Sequence, residues 1–99
     1  MSPCPSEEQF RRLLEIRPDS GGYVGLGLAR WRRGDRHEAE RYLKQAESLD
    51  PSSARPHLVL GLLYLDLGRN VDGESELRKA LERDPTNEGA LAALQRLKR

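Results

Sequence analysis

The chain of 99 residues repeats itself at an interval of 34 residues. When residues 20–53 are laid over residues 54–87, nine positions are identical, whereas unrelated sequences would share about two or three. The identical residues of the first copy are Leu26, Gly27, Leu28, Gly34, Glu40, Leu43, Ala46, Asp50 and Pro51. A period of this length is typical of stacked structural units.

Each copy predicts two helices joined by a tight turn. In the first copy, apolar residues recur at helical spacing up to Gly34, which suits a left-handed helix end. Asp35 is predicted to cap the following helix with Glu38 as its capping-box partner, and Asp50-Pro51 ends that helix. The second copy follows the same order, with Gly68 as the stop, Asn70 as the cap and Asp84-Pro85 as the end.

Both ends of the chain continue the pattern by half a unit. Residues 6–17 predict a helix that is capped by Ser6 and ended by Pro18, with an apolar side that includes Phe10. Residues 88–98 predict a last helix with its leucines pointing inward, namely Leu91, Leu94 and Leu97. The predicted fold is therefore all-α, an antiparallel helix-pair superhelix of about six helices.

The domain boundaries follow from these units. Residues 1–5 are expected to be a flexible tail, and residues 6–99 a single domain. The domain contains a half repeat at 6–18, full repeats at 20–53 and 54–87, and a closing helix at 88–98. The single cysteine, Cys4, lies in the tail and cannot form an internal disulfide, so it is expected to be an incidental thiol.

The repeating residues resemble the tetratricopeptide repeat family, whose 34-residue unit has a pattern of aromatic, leucine-glycine, alanine and proline positions. At these positions the first copy has Tyr23, Leu26-Gly27, Ala39, Leu43 and Pro51, and the second has His57, Leu60-Gly61, Tyr64, Leu77 and Pro85. Three residues depart from the pattern and are expected to weaken packing locally. They are Arg30 and His57 at aromatic positions and Gly73 at an alanine position.

Four glycines, at positions 21, 22, 25 and 27, fall within one predicted helix. Interior glycine costs up to about 1 kcal/mol of helix stability relative to alanine. We expect the glycines to permit close helix contact, and the alternative is a helix that becomes firm only when a partner binds.

The resemblance implies that the first helix of each repeat lines a concave groove that binds protein partners. The groove residues it implies are Val24, Leu28, Trp31, Arg32, Leu58, Leu62, Leu65, Asp66, Ala92 and Arg96. Residues 58–67 are apolar almost all round, so other helices should surround this helix. Neighbouring repeat helices would cover its sides and back but leave its concave side exposed, as an apolar patch. The alternative is that the closing helix or the N-terminal segment covers it.

An apolar groove suits a peptide or an amphipathic helix, with Trp31 as a candidate anchor. Some family members bind a C-terminal carboxylate through polar groove residues, but Val24, Leu28 and Val59 stand at the matching positions. The predicted function is therefore a protein-interaction scaffold or adaptor. The alternative is a structural protein that self-associates through the same groove.

Arginines at positions 30, 32, 33 and 36 surround Trp31 and could contact phosphate or a base, although a solvated helix end also explains them. The whole chain carries 17 basic and 16 acidic residues, so its charge argues against nucleic acid as the partner.

No catalytic, cofactor or small-molecule signal is present in the sequence. The two histidines, His37 and His57, fall on different predicted helices without cysteines nearby, which argues against a zinc site. Nothing resembles a nucleophile elbow or a phosphate-binding loop. Residues 58–67 are about half the length needed to cross a bilayer. A cytoplasmic protein without enzyme activity, metal or cofactor is expected.

Overall fold

The structure is a computed structural model that describes residues 19–98. These residues form five helices and no strand. The helices are α1 (Ser20–Arg32), α2 (Arg36–Leu49), α3 (Ala54–Asp66), α4 (Asn70–Arg83) and α5 (Glu88–Leu97). The prediction of an all-α fold built from helix pairs is confirmed, and the predicted helix at 6–17 lies outside the described residues, as does the predicted tail.

The chain divides into two compact units, Met1–Pro51 and Ser52–Arg99. In unit one, α1 packs against α2, and in unit two, α3 packs against α4, which in turn packs against α5. Each unit therefore contains one of the two helix pairs that the 34-residue repeat predicts. The grouping of residues 6–99 into a single domain stays a prediction.

Small groups of fully buried aliphatic side chains hold each pair together. In unit one they include Val24, Leu26, Ala39, Leu43 and Ala46. In unit two they include Leu60, Leu63, Leu77, Ala80 and Ala90. Because each buried leucine contributes roughly 1.5–3 kcal/mol, burial of these side chains is the main favourable term for both units.

A glycine in the middle of the first helix of each pair lets the two helices approach closely. A Cβ built on Gly27 would lie 2.9 Å from Leu43 Cγ, and one built on Gly61 would lie 2.9 Å from Leu77 Cγ. Real Cβ atoms essentially never come so close. The expectation of close helix contact is therefore confirmed at Gly27, whereas a Cβ on Gly21 would make only an ordinary contact with Asp19 Oδ1 at 3.7 Å.

The turns that follow α1 and α3 are built in the same way. Gly34 and Gly68 have φ angles of 89° and 81°, in the left-handed region that disfavours side chains. Beyond each glycine, a backbone N–H donates back to the last turn of the helix. Asp35 N donates to Arg30 O at 2.9 Å, and Arg69 N donates to Tyr64 O at 2.8 Å. The predicted glycine stops are confirmed.

The predicted caps of α2 and α4 are wrong. Asp35 stands at the N-cap position but makes no side-chain cap hydrogen bond, and its carboxylate pairs with Arg30 at 3.5 Å. Its expected partner Glu38 pairs with Arg41 instead. In unit two, the N-cap position is Arg69 rather than Asn70, since the turn after Gly68 closes one residue earlier than predicted.

Side-chain caps occur instead on α1 and α5. Asp19 Oδ1 accepts a hydrogen bond from Gly22 N at 2.7 Å, and Asn87 Oδ1 accepts one from Ala90 N at 3.0 Å. Each cap contributes about 1 kcal/mol. The predicted proline stops are confirmed, because α2 ends at Leu49 before Asp50-Pro51, and α4 ends at Arg83 before Asp84-Pro85.

The two units stabilise equivalent turns with different chemistry. In unit one, Arg30 pairs with Asp35 at 3.5 Å. At the equivalent positions of unit two, the Arg69 guanidinium lies 4.3 Å from the centre of the Tyr64 ring. An ion pair in unit one thus takes the place of the cation–π contact in unit two. Arg30, at the aromatic position of repeat one, keeps a contact across the turn through Asp35.

We expect the two members of this contact to be energetically coupled. Asp35→Arg should destabilise unit one by about 1 kcal/mol, because it removes an ion pair and sets two cations together. Adding Arg30→Tyr should recover most of that loss, since it recreates the tyrosine–arginine contact of unit two. Urea unfolding of both single variants and the double variant measures the coupling. Strict additivity of the two changes would contradict this interpretation.

Candidate functional site

The predicted groove residues of unit one lie on α1 and differ in exposure. Leu28 and Trp31 are half-buried, and Arg32 is exposed. Val24 is 1% exposed and belongs to the core of the unit. Its side chain therefore supports α1 and offers no surface to a ligand.

The predicted groove residues of α3 form one stripe on unit two. Leu58, Leu62 and Leu65 follow each other at intervals of four and three residues, so they lie on the same side of the helix. All three are half-buried, and Asp66 beside them is exposed. We call the three leucines the α3 face. It combines apolar side chains with partial access to solvent.

The closing helix covers part of the α3 face. Leu58, Leu62 and Leu65 pack at the edge of a core cluster formed by Leu77, Ala80, Ala90 and Ala93, of which the last two belong to α5. A Cβ on Gly89 would lie 3.4 Å from a terminal methyl of Leu58. The sequence did not decide whether the closing helix covers these leucines. In the structure the covering is partial, because the three leucines keep intermediate exposure.

Two further predicted residues border this face from α5. Ala92 and Arg96 lie three and seven residues after Gly89, so they share its side of the helix. Both are exposed. Unit two therefore presents an apolar stripe with an acidic residue, Asp66, at the end of α3 and a basic residue, Arg96, on α5.

The prediction that all three leucines of the last helix point inward is wrong for Leu91. That side chain is 42% exposed, while Leu94 and Leu97 pack against the core cluster. The helix rests on α4 through Ala90 and Ala93, and a rotation of about 100° per residue turns position 91 away from that contact.

Leu65 has a second role that the sequence did not reveal. A Cβ on Gly73 would lie 2.6 Å from Leu65 Cδ2, so the leucine occupies the space that the family's usual alanine would fill. The expected weakening of packing at Gly73 is therefore wrong. Leu65 packs toward α4, so Leu58 and Leu62 are the members of the α3 face that are better placed to contact a ligand.

The histidine at the aromatic position of the second repeat is also compensated. His57 Nδ1 lies 3.0 Å from Glu76 Oε1, and both side chains are buried. Lys79 Nζ lies 3.5 Å from the other carboxylate oxygen. The equivalent positions in unit one are Tyr23 and Tyr42, whose rings stack with centroids 6.3 Å apart. Aligning the two repeats places His57 opposite Tyr23 and Glu76 opposite Tyr42. This alignment was the sequence signal from which a contact between His57 and Glu76 could have been predicted.

The arginine cluster lies where α1 turns into α2. Arg32 is the last residue of α1, Arg33 is its C-cap and Arg36 is the first residue of α2. All three side chains are exposed, and Trp31 next to them is half-buried. Arg30 differs from them, because its side chain is only 17% exposed and pairs with Asp35.

Among residues 19–98, no helix is long and apolar enough to cross a membrane. The most apolar helix, α3, contains 13 residues, compared with the roughly 20 that a bilayer requires. The cytoplasmic location suggested by the sequence stays a prediction.

Tight helix pairs at a 34-residue period define a helical-repeat module. The sequence profile of the Tetratricopeptide repeat family matches residues 24–88, about two-thirds of the chain. The chain belongs to the tetratricopeptide repeat family.

Relatives in very different proteins share this module. The chain is 30% identical over 88 residues to a protein O-mannosyl-transferase of Caenorhabditis elegans, covering 89% of this chain and 13% of that protein. It is 35% identical over 65 residues to the type IV pilus assembly protein PilF of Pseudomonas aeruginosa, covering 66% and 26%. It is 31% identical over 88 residues to a BBSome complex member of Bos taurus, covering 89% and 17%. The chain thus spans about a quarter or less of each relative.

Solved structures agree on the fold. The Yersinia enterocolitica type III secretion chaperone SycD, in complex with a peptide of the translocator YopD, superposes with a TM-score of 0.78 at 22% identity. The alignment covers 93% of this chain and 71% of that one. A second structure of SycD, described as an alternative dimer, also has a TM-score of 0.78 at 22% identity, covering 93% and 70%. At this identity the likeness concerns the fold.

Proposed function

We propose that this protein is a non-catalytic scaffold that binds a partner protein through a peptide or an amphipathic helix. The contact surface is the α3 face, bordered by Asp66, Ala92 and Arg96. The resemblance also assigns Leu28, Trp31 and Arg32 of α1 to partner contacts, with Val24 supporting them from the core. The adaptor role predicted from the sequence belongs to the same proposal.

The observation that carries the proposal is the partial burial of the α3 face. Leu58 and Leu62 pack against the core on one side and remain accessible on the other. Accessible leucines cost solvation free energy that a bound partner would recover, at about 25 cal/mol for each Å² of apolar surface. A stripe at intervals of four and three residues matches the spaced apolar anchors of an amphipathic helix or peptide.

The relatives support an interaction role without naming the partner. SycD was solved in complex with a peptide of the translocator YopD, and the match to PilF lies in a protein named for pilus assembly. The chain also aligns with a mannosyl-transferase, but over only 13% of that protein, so the enzyme name is no reason to propose catalysis here.

The proposal predicts that a charge on the α3 face blocks binding. Leu62→Glu should weaken the affinity for a leucine-rich amphipathic helical peptide at least about tenfold, because a carboxylate would be desolvated in the contact. Isothermal titration of the full chain measures the effect. Val71→Glu makes the same charge change at a side chain that is 82% exposed and off this face, and it should bind like the wild type.

A second variant separates lost binding from lost folding. Leu62 contributes to the core edge, so Leu62→Glu alone could act by unfolding unit two. Ala92 is exposed on α5, and Ala92→Glu keeps a good helix former at that position. It should leave the melting temperature unchanged and still reduce peptide affinity. If Leu62→Glu and Ala92→Glu both fold and both bind the peptide with wild-type affinity, the proposed surface is refuted.

The alternative is that the α3 face binds a second copy of the chain. SycD has been solved as a dimer, and an apolar stripe can serve either purpose. Light scattering over about a hundredfold range of concentration distinguishes them, because only a self-associating face gives a mass that falls on dilution. A dimer that is lost in Leu62→Glu and Ala92→Glu would establish self-association. A monomer at every concentration leaves the peptide role.

A further inference from the structure

The turn between α1 and α2 carries a concentration of positive charge. Arg32, Arg33 and Arg36 are exposed there, next to the half-buried Trp31. We call these three arginines the basic turn. Residues 30–36 contain four arginines and one aspartate, a net charge of +3, although the whole chain has a net charge of only +1.

The equivalent turn of unit two shows that the fold does not require this charge. At the positions that match the basic turn, residues 66, 67 and 70 are aspartate, leucine and asparagine. Residues 64–70 contain one arginine and one aspartate, a net charge of zero. The two turns nevertheless share their geometry, with positive φ angles at Gly34 and Gly68 and the same backbone hydrogen bond after each glycine.

Helix-end electrostatics do not explain the arginines either. Cations stabilise a helix C-terminus by about 0.3–1 kcal/mol, yet α3 has no basic residue in its last turn and is as long as α1, at 13 residues.

We propose that the basic turn binds an acidic segment, a run of aspartate or glutamate residues, in a peptide partner, with Trp31 as the adjoining apolar contact. Guanidinium groups match carboxylates with two parallel hydrogen bonds, and a tryptophan beside them adds contact area that is buried on binding. The inference rests on the proposed function only in taking a peptide as ligand. It needs no residue of the α3 face.

A peptide fits these observations better than a nucleic acid. Binding to a phosphate backbone depends on many cationic contacts spread along the strand, and the near-balance of 17 basic and 16 acidic residues does not favour them. Single-stranded binders also stack successive bases on several aromatic rings. Trp31 is the only tryptophan of the chain, and a short basic turn suits a short acidic segment.

The test titrates the full chain with a peptide rich in aspartate and glutamate, and with the same peptide carrying asparagine and glutamine instead. Calorimetry measures affinity, and Trp31 emission reports on the site itself, since no other tryptophan contributes. We expect binding of the acidic peptide alone, weakening as salt rises. The Arg32→Gln, Arg33→Gln and Arg36→Gln triple variant should bind about tenfold more weakly.

A charge-matched variant controls for net charge. Arg78→Gln, Arg83→Gln and Lys98→Gln remove three positive charges from exposed positions of unit two, and they should leave the affinity unchanged. Equal losses in both variants would show general charge attraction and overturn the proposal. Unchanged affinity in the basic-turn variant would also overturn it. Tighter binding of a single-stranded oligonucleotide of equal charge, lost in the same variant, would assign the turn to nucleic acid instead.

A second variant guards against unfolding. Arg32→Asp, Arg33→Leu and Arg36→Asn place the residues of unit two into unit one, in a turn whose geometry already accepts them. It should fold and lose acidic-peptide binding while keeping its affinity for the leucine-rich amphipathic peptide. Leu62→Glu should keep acidic-peptide binding and lose affinity for the leucine-rich peptide. The two variants therefore distinguish failure of this inference from failure of the proposed function.

Discussion

Gly61→Leu is expected to open the α3–α4 pair and destabilise unit two by about 2 kcal/mol, the balance of overpacking and the better helix propensity of leucine. The first added carbon would lie 2.9 Å from Leu77 Cγ and 3.1 Å from Gly73 O. The second of these atoms belongs to the backbone of α4, so a side-chain rotation cannot relieve the overlap. Thermal unfolding should show a fall of about 10 °C.

The same substitution at an open position is the control. Gly21 faces only Asp19 Oδ1 at 3.7 Å, so Gly21→Leu should leave stability within about 0.5 kcal/mol of the wild type. Gly27→Leu should reproduce the loss in unit one, where the added carbon meets Leu43 Cγ at 2.9 Å. Hydrogen exchange locates the damage in one unit or the other. Wild-type stability in Gly61→Leu would mean that the helices do not approach as described.

His57→Ala is expected to cost about 2–3 kcal/mol. It empties a buried site and removes the contact that the ring makes with Glu76 Oε1 at 3.0 Å, and removing one member of a buried hydrogen bond costs about 1–3 kcal/mol. The melting temperature should fall by about 10 °C or more. Chemical denaturation with an unchanged slope would show that the loss is one of stability and not of compactness.

The first repeat supplies a matched rescue for this variant. Tyr23 and Tyr42 stack at the positions equivalent to His57 and Glu76. The double change His57→Tyr and Glu76→Tyr should therefore recover most of the stability, whereas Glu76→Tyr alone should not, since it leaves the histidine without the carboxylate. If the double variant is no better than the sum of its single changes, the two units do not share interchangeable pairs at these positions.

Much of the local structure could be predicted from the sequence. The 34-residue period indicated helix pairs, Gly34 and Gly68 indicated the turns, and Asp50-Pro51 and Asp84-Pro85 indicated the helix ends. These predictions succeeded because each depends on backbone geometry that only a few residue types allow. The predicted cap of α2 failed because the choice of partner for Asp35 depends on Arg30, a side chain in the preceding helix. The predicted cap of α4 failed because the N-cap position is Arg69 and not Asn70.

The candidate site was predicted less completely. Spacing placed Leu58 and Leu62 on one face, but it could not show that Leu65 turns toward Gly73 or that Val24 is 1% exposed. A helical period distinguishes one face from another, and burial depends on the neighbour that each face meets. The inward leucine predicted at position 91 failed for the same reason.

The sequence by itself determined the class of protein, the helix pairs and the family, because these follow from residues whose allowed backbone angles and spacing are narrow. The tertiary structure alone decided how the unusual residues are accommodated: His57 by Glu76, Arg30 by Asp35, and Gly73 by Leu65. Contacts of this kind join residues on different helices or across a turn, and their energies depend on distances of a few ångströms that no residue-by-residue propensity contains.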